Sequence, residues 1–169
     1  MLRLSKLTDY AVVVLIRLAE GDRATCRAGH CEPVQTSPGI ALATGVPEPT
    51  VAKVLKSLAS ANLVLSLRGA RGGYRLARPL SSVSVADVIA AVDGPIALTA
   101  CVDGGAGGCD VQWLCAVKGR WDLVNDAIRA TLGDISLEDM RSASVPAAFR
   151  IVHPQVLDLP VHAVTAAAG

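Results

Sequence analysis

Residues 38–78 constrain the fold of this chain more than any other stretch. The run PGIALAT predicts a short helix that ends at Gly45, and the turn GVPEP leads into a second helix. Apolar residues at i, i+3, i+4 and i+7 give that second helix one buried face: Val51, Val54, Leu55 and Leu58. LVLSL and YRLAR then read as two strands around the glycine-rich turn RGARGG. Two helices joined by a tight turn and followed by a β-hairpin predict a winged helix-turn-helix.

The predicted DNA-binding residues lie on the outer face of the second helix and on the hairpin. They are Thr50, Lys53, Lys56 and Ser57 on the helix, and Arg68, Arg71, Arg75 and Arg78 on the hairpin. Residues 1–80 hold eleven Lys or Arg against five Asp or Glu, whereas residues 81–169 hold five against ten. Hairpin arginines can bind phosphates or enter a minor groove, and Thr50 and Lys53 are placed to read bases. We therefore predict that residues 1–80 bind double-stranded DNA.

The first helix is predicted to begin near Thr8 as its N-cap, with Asp9 in the first turn, and to stop at Gly21. Residues 22–37 follow as a loop insertion rich in polar residues, glycine and proline. This loop contains CRAGHC, whose Cys26, His30 and Cys31 do not have a usual zinc spacing and are interpreted as incidental.

Residues 81–140 are predicted to form a second region with two helices. Ser84 caps the short helix SVADVIAAVDG, which ends at Gly94. The later helix, KGRWDLVNDAIRATLGD, carries one apolar seam: Trp121, Val124, Ile128 and Leu132. This seam is a candidate for pairing with a second copy of the chain, the alternative being packing onto its own domain. Residues 141–169 have three prolines and no clear period, and we predict that they are largely disordered.

Composition favours one reduced, cytoplasmic domain. The chain has 169 residues, no credible secretory signal and no apolar run of membrane-spanning length. Its odd number of cysteines, five, argues against a disulfide scaffold. An enzyme with a catalytic cysteine would need a histidine base nearby, but the histidines lie in the predicted loop and tail. We predict that the protein is not an enzyme.

Three cysteines follow the winged helix, Cys101, Cys109 and Cys115, in the spacing C-x7-C-x5-C. This spacing is wider than the C-x2-C knuckle of zinc ribbons, and the first interval is rich in glycine. Thiolates are soft ligands suited to iron–sulfur clusters, zinc or copper(I), whereas isolated cysteines are often only small buried residues. The pattern favours a metal site.

Four stretches together resemble the bacterial iron–sulfur winged-helix transcription regulators over about residues 1–140: LSKLTDYAVVVLIRLA, TGVPEPTVAKVLKSLASANLV, RGARGGYRLAR and SVADVIAAVDGPIALTAC. That family includes the Isc assembly regulator and the nitric-oxide-sensing repressor, and the resemblance is greatest to its Suf-system assembly branch. It implies a mainly α-helical winged-helix fold with a small β-hairpin and a homodimer formed through a long helix. It also implies a palindromic operator and a cluster, 2Fe–2S or 4Fe–4S, held by Cys101, Cys109 and Cys115.

The fourth ligand departs from part of this family. Isc regulators have a histidine three residues after the third cysteine, where this chain has Lys118. In the nitric-oxide-sensing branch the ligand is an aspartate at the start of the first helix of the other subunit, and Asp9 matches that position. A small ligand, a thiol or water could complete the shell instead. The Isc branch has a glutamate where this chain has Ala52, so its operator preference does not carry over.

The predicted function is therefore a transcription regulator whose operator affinity depends on an iron–sulfur cluster, with Suf assembly genes as the targets that the resemblance implies. One alternative is a metal-free regulator that senses redox state through a disulfide among Cys101, Cys109 and Cys115. Another is a nitric-oxide-sensing repressor.

Overall fold

The computed structural model describes residues 4–25, 34–69, 72–102, 114–117 and 119–143. Within these ranges six α-helices and one two-stranded sheet follow the order α1 (Lys6–Thr25), α2 (Ser37–Thr44), α3 (Glu48–Ser60), β1 (Val64–Leu67), β2 (Gly73–Leu76), α4 (Val85–Val92), α5 (Arg120–Asp134) and α6 (Leu137–Ser142). A 3-10 helix, Leu80–Ser82, lies between β2 and α4. This mainly helical fold with a small hairpin confirms the predicted class. In these ranges we find no helix with the length and apolar character needed to cross a membrane.

Helix α1 lies at the centre of the core. It buries Ala11, Val14, Leu15 and Leu18, the spacing of one helical face, and packs against α2, α3 and α4. Helix α2 contributes Ile40, and α4 contributes Val88 and Ile89. The winged helix and the start of the second region therefore share one hydrophobic core.

The start of α1 differs from the prediction. The helix begins at Lys6, and the side chain of Ser5 caps it by accepting a hydrogen bond from the Thr8 amide at 3.2 Å. Thr8 is a buried helical residue whose hydroxyl donates to Asp93 Oδ2 at 2.7 Å. The same oxygen accepts from the Ser5 amide at 3.3 Å, so Asp93, directly after α4, fixes the start of α1. A local pattern could not show this, because Thr8 and Asp93 are far apart in sequence.

The end of α1 was also predicted wrongly, since the helix passes Gly21 and continues to Thr25. Gln35 explains the glycine: its Nε2 donates to the carbonyl oxygens of Arg17 and Leu18 at 3.1 and 3.3 Å. A Cβ on Gly21 would lie 2.0 Å from that Nε2. Gly21 therefore makes room for Gln35 rather than ending the helix. The predicted loop, residues 22–37, is also too long, because residues 22–25 belong to α1 and Ser37 belongs to α2.

The helix-turn-helix has the predicted form. Helix α2 ends at Gly45, whose φ of 72° is the left-handed conformation of a C-terminal cap. The four residues predicted to be the inner face of α3 are all buried: Val51, Val54, Leu55 and Leu58.

The hairpin pairs β1 and β2 antiparallel, from Val64 opposite Leu76 to Leu67 opposite Gly73. Gln35 adds a bridge to Tyr74, with amide-to-carbonyl distances of 2.9 and 2.8 Å. A Cβ on Gly73 would lie 2.6 Å from the Gln35 carbonyl oxygen, so glycine permits this close approach. Gln35 thereby connects the start of β2, next to the hairpin turn, to α1.

Capping boxes begin both α4 and α6. Ser84, the predicted cap, forms one box with Asp87, while Ser136 and Asp139 form a second one that begins α6. Helix α6 was not predicted, and it places residues 141 and 142, assigned to the disordered tail, in a helix. The rest of the predicted tail, residues 144–169, lies outside the described residues.

Candidate nucleic-acid interface and thiol site

The outer face of α3 presents the residues predicted to contact DNA. Lys53 and Lys56 are exposed, and Thr50 and Ser57 are half-buried on the same helix. Because the four apolar residues of α3 hold its other face against the core, both lysines point towards solvent. A basic helix face of this kind can enter a major groove.

The hairpin arginines occupy different environments. Arg68 is exposed just after β1, whereas Arg75 is half-buried in β2 opposite Leu65. Arg78 follows β2, and its Nη2 lies 2.8 Å from Asp87 Oδ2, so it joins the hairpin to the start of α4. The predicted contact Arg71 lies outside the described residues.

Cys101 lies in a tight turn after α4. The Val102 amide donates to the Thr99 carbonyl at 3.4 Å, and Val102 itself is buried. The Thr99 hydroxyl oxygen lies 3.2 Å from Cys101 Sγ. Cys101 is half-buried and carries a free thiol, so the sulfur is both accessible and hydrogen-bonded.

Helix α5 holds this turn through one side chain. Asn125 is only 2% exposed, and its Oδ1 accepts from the Leu98 amide at 3.1 Å. It is the only buried residue among those described on α5. The sequence analysis identified neither Asn125 nor Thr99. The signal available for Asn125 was its position next to Val124 in the otherwise apolar seam of the helix, since a polar residue there needs a hydrogen-bond partner when it is buried.

Cys115 lies a few residues before α5. It is half-buried with a free thiol, next to Leu114, which is 93% exposed. Cys109, Lys118 and all three candidate ligands of CRAGHC lie outside the described residues. Within the described ranges no three His, Cys, Asp or Glu side chains come together as a metal site.

Asp9 lies elsewhere on the protomer. It is exposed in the first turn of α1 and lines a hollow of about 340 Å³ beside Lys6, Val85 and Met140. Neither Cys101 nor Cys115 lines this hollow. This hollow therefore contains Asp9 without either described cysteine.

A helix-turn-helix beside a β-hairpin, with lysines on its outer face, defines a winged-helix DNA-binding protein. The chain belongs to the Rrf2 family, described as iron-dependent transcriptional regulators, which matches residues 4–143. Members of this family are transcription regulators that bind DNA and are not enzymes, as predicted.

Individual relatives agree with this assignment. The chain is 31% identical over 146 residues to Rv1287 of Mycobacterium tuberculosis, which is named as an HTH-type transcriptional regulator, covering 86% of this chain and 84% of that one. The structure of CymR, the global cysteine regulator of B. subtilis, matches with a TM-score of 0.61 at 25% identity, covering 86% of this chain and all of that one. The IscR structure of T. potens matches with a TM-score of 0.55 at 27% identity, covering 88% and 97%.

Proposed function

We propose that this protein is a homodimeric, cytoplasmic transcription regulator whose affinity for a palindromic operator is controlled by an iron–sulfur cluster. Cys101, Cys109 and Cys115 hold the cluster, and Suf assembly genes are the targets. The observation that carries the proposal is the placement of Cys101 and Cys115. One thiol follows α4 in a turn held by α5, and the other precedes α5 in sequence.

The donor chemistry fits such a cluster. Both described cysteines are free and half-buried rather than enclosed in the core, so each sulfur can reach a ligand. When bound, the cluster would supply a rigid link between the three thiolates. The chain's own part is to connect that link to the dimer helix. Asn125 makes this connection, because its hydrogen bond to Leu98 joins α5 to the Cys101 turn.

The seam of α5 supports the homodimer. Trp121 is 40% exposed and Val124 is 43% exposed, while Leu132 at the far end packs against the core. An apolar seam left open on a helix favours pairing with its own copy. A change in the angle between paired α5 helices would alter the spacing of the two α3 helices and hence the fit to a palindrome.

Asp9 is proposed as the fourth ligand, supplied to the cluster of the other subunit. Its carboxylate is exposed and has no hydrogen-bond or ion-pair partner among the described residues. An oxygen on iron is a weaker ligand than a thiolate, so this bond is the one that a signal molecule would displace.

Anaerobic purification tests the proposal. We expect a coloured protein with bound iron and sulfide, and tighter or weaker binding to a Suf-promoter duplex once the cluster is removed. Serine at Cys101, Cys109 or Cys115 should abolish or destabilise the cluster. The matched control, serine at both Cys26 and Cys31, should leave it intact. Colourless, iron-free wild-type protein after anaerobic reconstitution would contradict the proposal.

A metal-free thiol regulator is the second candidate, and the likeness to CymR, titled a global cysteine regulator, favours it. In that case two of the three thiols would form a disulfide that changes DNA affinity without iron. Mass spectrometry of the oxidised protein separates the two candidates. A disulfide that is reversed by a thiol reductant, together with redox-dependent DNA binding in iron-free protein, would support the second. Nitric-oxide sensing would require the iron–sulfur cluster of the first candidate, and it would appear as a change in the visible spectrum of that cluster when nitric oxide is added.

A further inference from the structure

Thr99 is the polar side chain that contacts Cys101 among the described residues. Its hydroxyl oxygen lies 3.2 Å from Cys101 Sγ, within the range of a hydrogen bond that involves sulfur. In a free thiol either atom can be the donor, but a thiolate that binds metal can only accept. In the cluster-bound state the hydroxyl of Thr99 must therefore be the donor.

The turn that presents Thr99 is held at both ends. Before it, the Leu98 amide donates to Asn125 Oδ1 at 3.1 Å; after it, Val102 is buried and its amide closes the turn on the Thr99 carbonyl. Asn125 is 2% exposed, so losing its partner would leave a buried polar group unsatisfied. The fold thus holds the backbone of residues 98–102, from which the Thr99 hydroxyl reaches the sulfur.

We infer that Thr99 is a tuning residue that donates a hydrogen bond to the Cys101 thiolate and raises the reduction potential of the bound cluster, and that Asn125 positions it. This inference rests on the proposed function. A hydrogen bond withdraws electron density from the sulfur and so stabilises the reduced, more negative cluster. Asn125 lies on α5, so the residue that positions the tuning group also belongs to the proposed dimer helix.

The test is a potentiometric titration of the reconstituted cluster, followed by its visible spectrum. Thr99→Val keeps the shape of the side chain but removes the hydroxyl, and we expect a more negative potential than in wild type. Thr99→Ser restores the donor and should return the potential towards the wild-type value. Thr131→Val is the matched control, because its hydroxyl bonds to the Ala127 carbonyl within α5, away from either cysteine.

Asn125→Leu provides a second measurement through the positioning residue. Loss of the amide should free the turn, so we expect a potential shift in the same direction and faster loss of iron to a chelator. If this variant does not fold, the Thr99 series still decides the matter.

The outcomes separate this inference from the proposed function. A wild-type protein that takes up no cluster would overturn both. A wild-type cluster whose potential is unchanged in Thr99→Val would overturn only the role of Thr99. Equal shifts in Thr99→Val and Thr99→Ser, or a matching shift in Thr131→Val, would also overturn it, since the hydroxyl at residue 99 would not then be the cause.

Discussion

Helices α3 and α5 have similar lengths and both carry an apolar stripe, yet they use it differently. The stripe of α3 is buried in its own protomer, and its outward face carries the exposed Lys53 and Lys56 and no exposed large apolar side chain. Helix α5 buries only Asn125, while Trp121 is 40% exposed and Leu123 is 79% exposed. Amphipathic spacing therefore indicates that a helix has an apolar side, but not which surface covers that side.

The difference also separates two tasks. Because α3 is fixed to the core, its lysines have a constant position relative to the hairpin. Helix α5 is joined to the rest of the protomer through Asn125, α4 and the core contact of Leu132, which leaves its first turns open. In the proposed regulator, α3 reads DNA and α5 transmits the state of the thiol site.

The largest expected effect comes from truncating the buried stripe of α3. Leu55 is fully buried, so we expect Leu55→Ala to lower the free energy of unfolding by about 2–5 kcal/mol. The matched control is Leu42→Ala on α2, where the side chain is 90% exposed and the change should stay within about 0.5 kcal/mol. Denaturant titration followed by circular dichroism measures both. Equal losses in the two variants would contradict the packing described for α3.

The seam of α5 should respond in association rather than in folding. Val124→Lys places a charge in the proposed dimer contact and should weaken dimerisation by about 1–3 kcal/mol, with the helix content unchanged. Light scattering should then report the 17.4 kDa of one chain instead of twice that mass. Ala130→Lys, on the opposite side of α5, is the control and should remain dimeric. A Val124→Lys variant that still dimerises would exclude this seam as the interface.

Charge removal on α3 should act on DNA binding alone. We expect Lys56→Ala to weaken binding to all sequences and to reduce the slope of log affinity against log salt by about 0.9, the contribution of one phosphate contact. Arg129→Ala removes a cation that is also exposed, from α5, and should leave the slope unchanged. Fluorescence anisotropy at several salt concentrations distinguishes them, and identical slopes for wild type and Lys56→Ala would remove Lys56 from the interface.

The smallest expected effect is the pH dependence of folding stability that Asp93 contributes. Partial burial acts to raise the pKa of Asp93, but hydrogen bonds from Ser5 and Thr8 outweigh it and hold the pKa below its ordinary value of 3.8. A lowered folded-state pKa gives stability that is present above the unfolded-state pKa and is lost as pH falls through the folded value. Acid should therefore loosen the contact between α1 and α4, whereas the Asn125 contact of α5 has no proton to gain.

Asp93→Asn tests this difference. The variant should be less stable than wild type at neutral pH and should approach wild-type stability in acid, as measured by thermal melts across the pH range. Leu42→Ala, an exposed change on α2 that removes no titratable group, should run parallel to wild type. A constant difference between Asp93→Asn and wild type at every pH would show that the carboxylate charge does not matter.

Features set by neighbouring residues were predictable from the sequence. The buried stripe of α3, the cap at Gly45 and the capping box of Ser84 all follow from spacing within one helix, and each is found as expected. The box of Ser136 and Asp139 has the same spacing, so α6 could have been predicted from the signal that identified α4.

Features that depend on distant residues were not predictable. Thr8 is of a residue type that favours helix caps, but in the folded chain its hydroxyl donates to Asp93, and Ser5 caps the helix instead. Gly21 is of the residue type that commonly ends a helix, yet α1 continues through it, with Gln35 hydrogen-bonded to the carbonyl of Arg17. At the candidate site, the cysteine spacing predicts metal ligands and this stays a prediction, whereas the contact between Leu98 and Asn125 is seen only in the folded chain.

The attachment of Gln35 has a consequence for how this fold can vary through evolution. Gln35 is fixed to α1 by its side chain and to β2 by its backbone, so the start of β2 is held by contacts that do not involve the residues between Thr25 and Val34. Each doubling of a loop's length costs only about 0.6 kcal/mol. We therefore expect that residues can be inserted or removed between Thr25 and Val34, or a peptide grafted there, while the helix-turn-helix and the hairpin keep their shape.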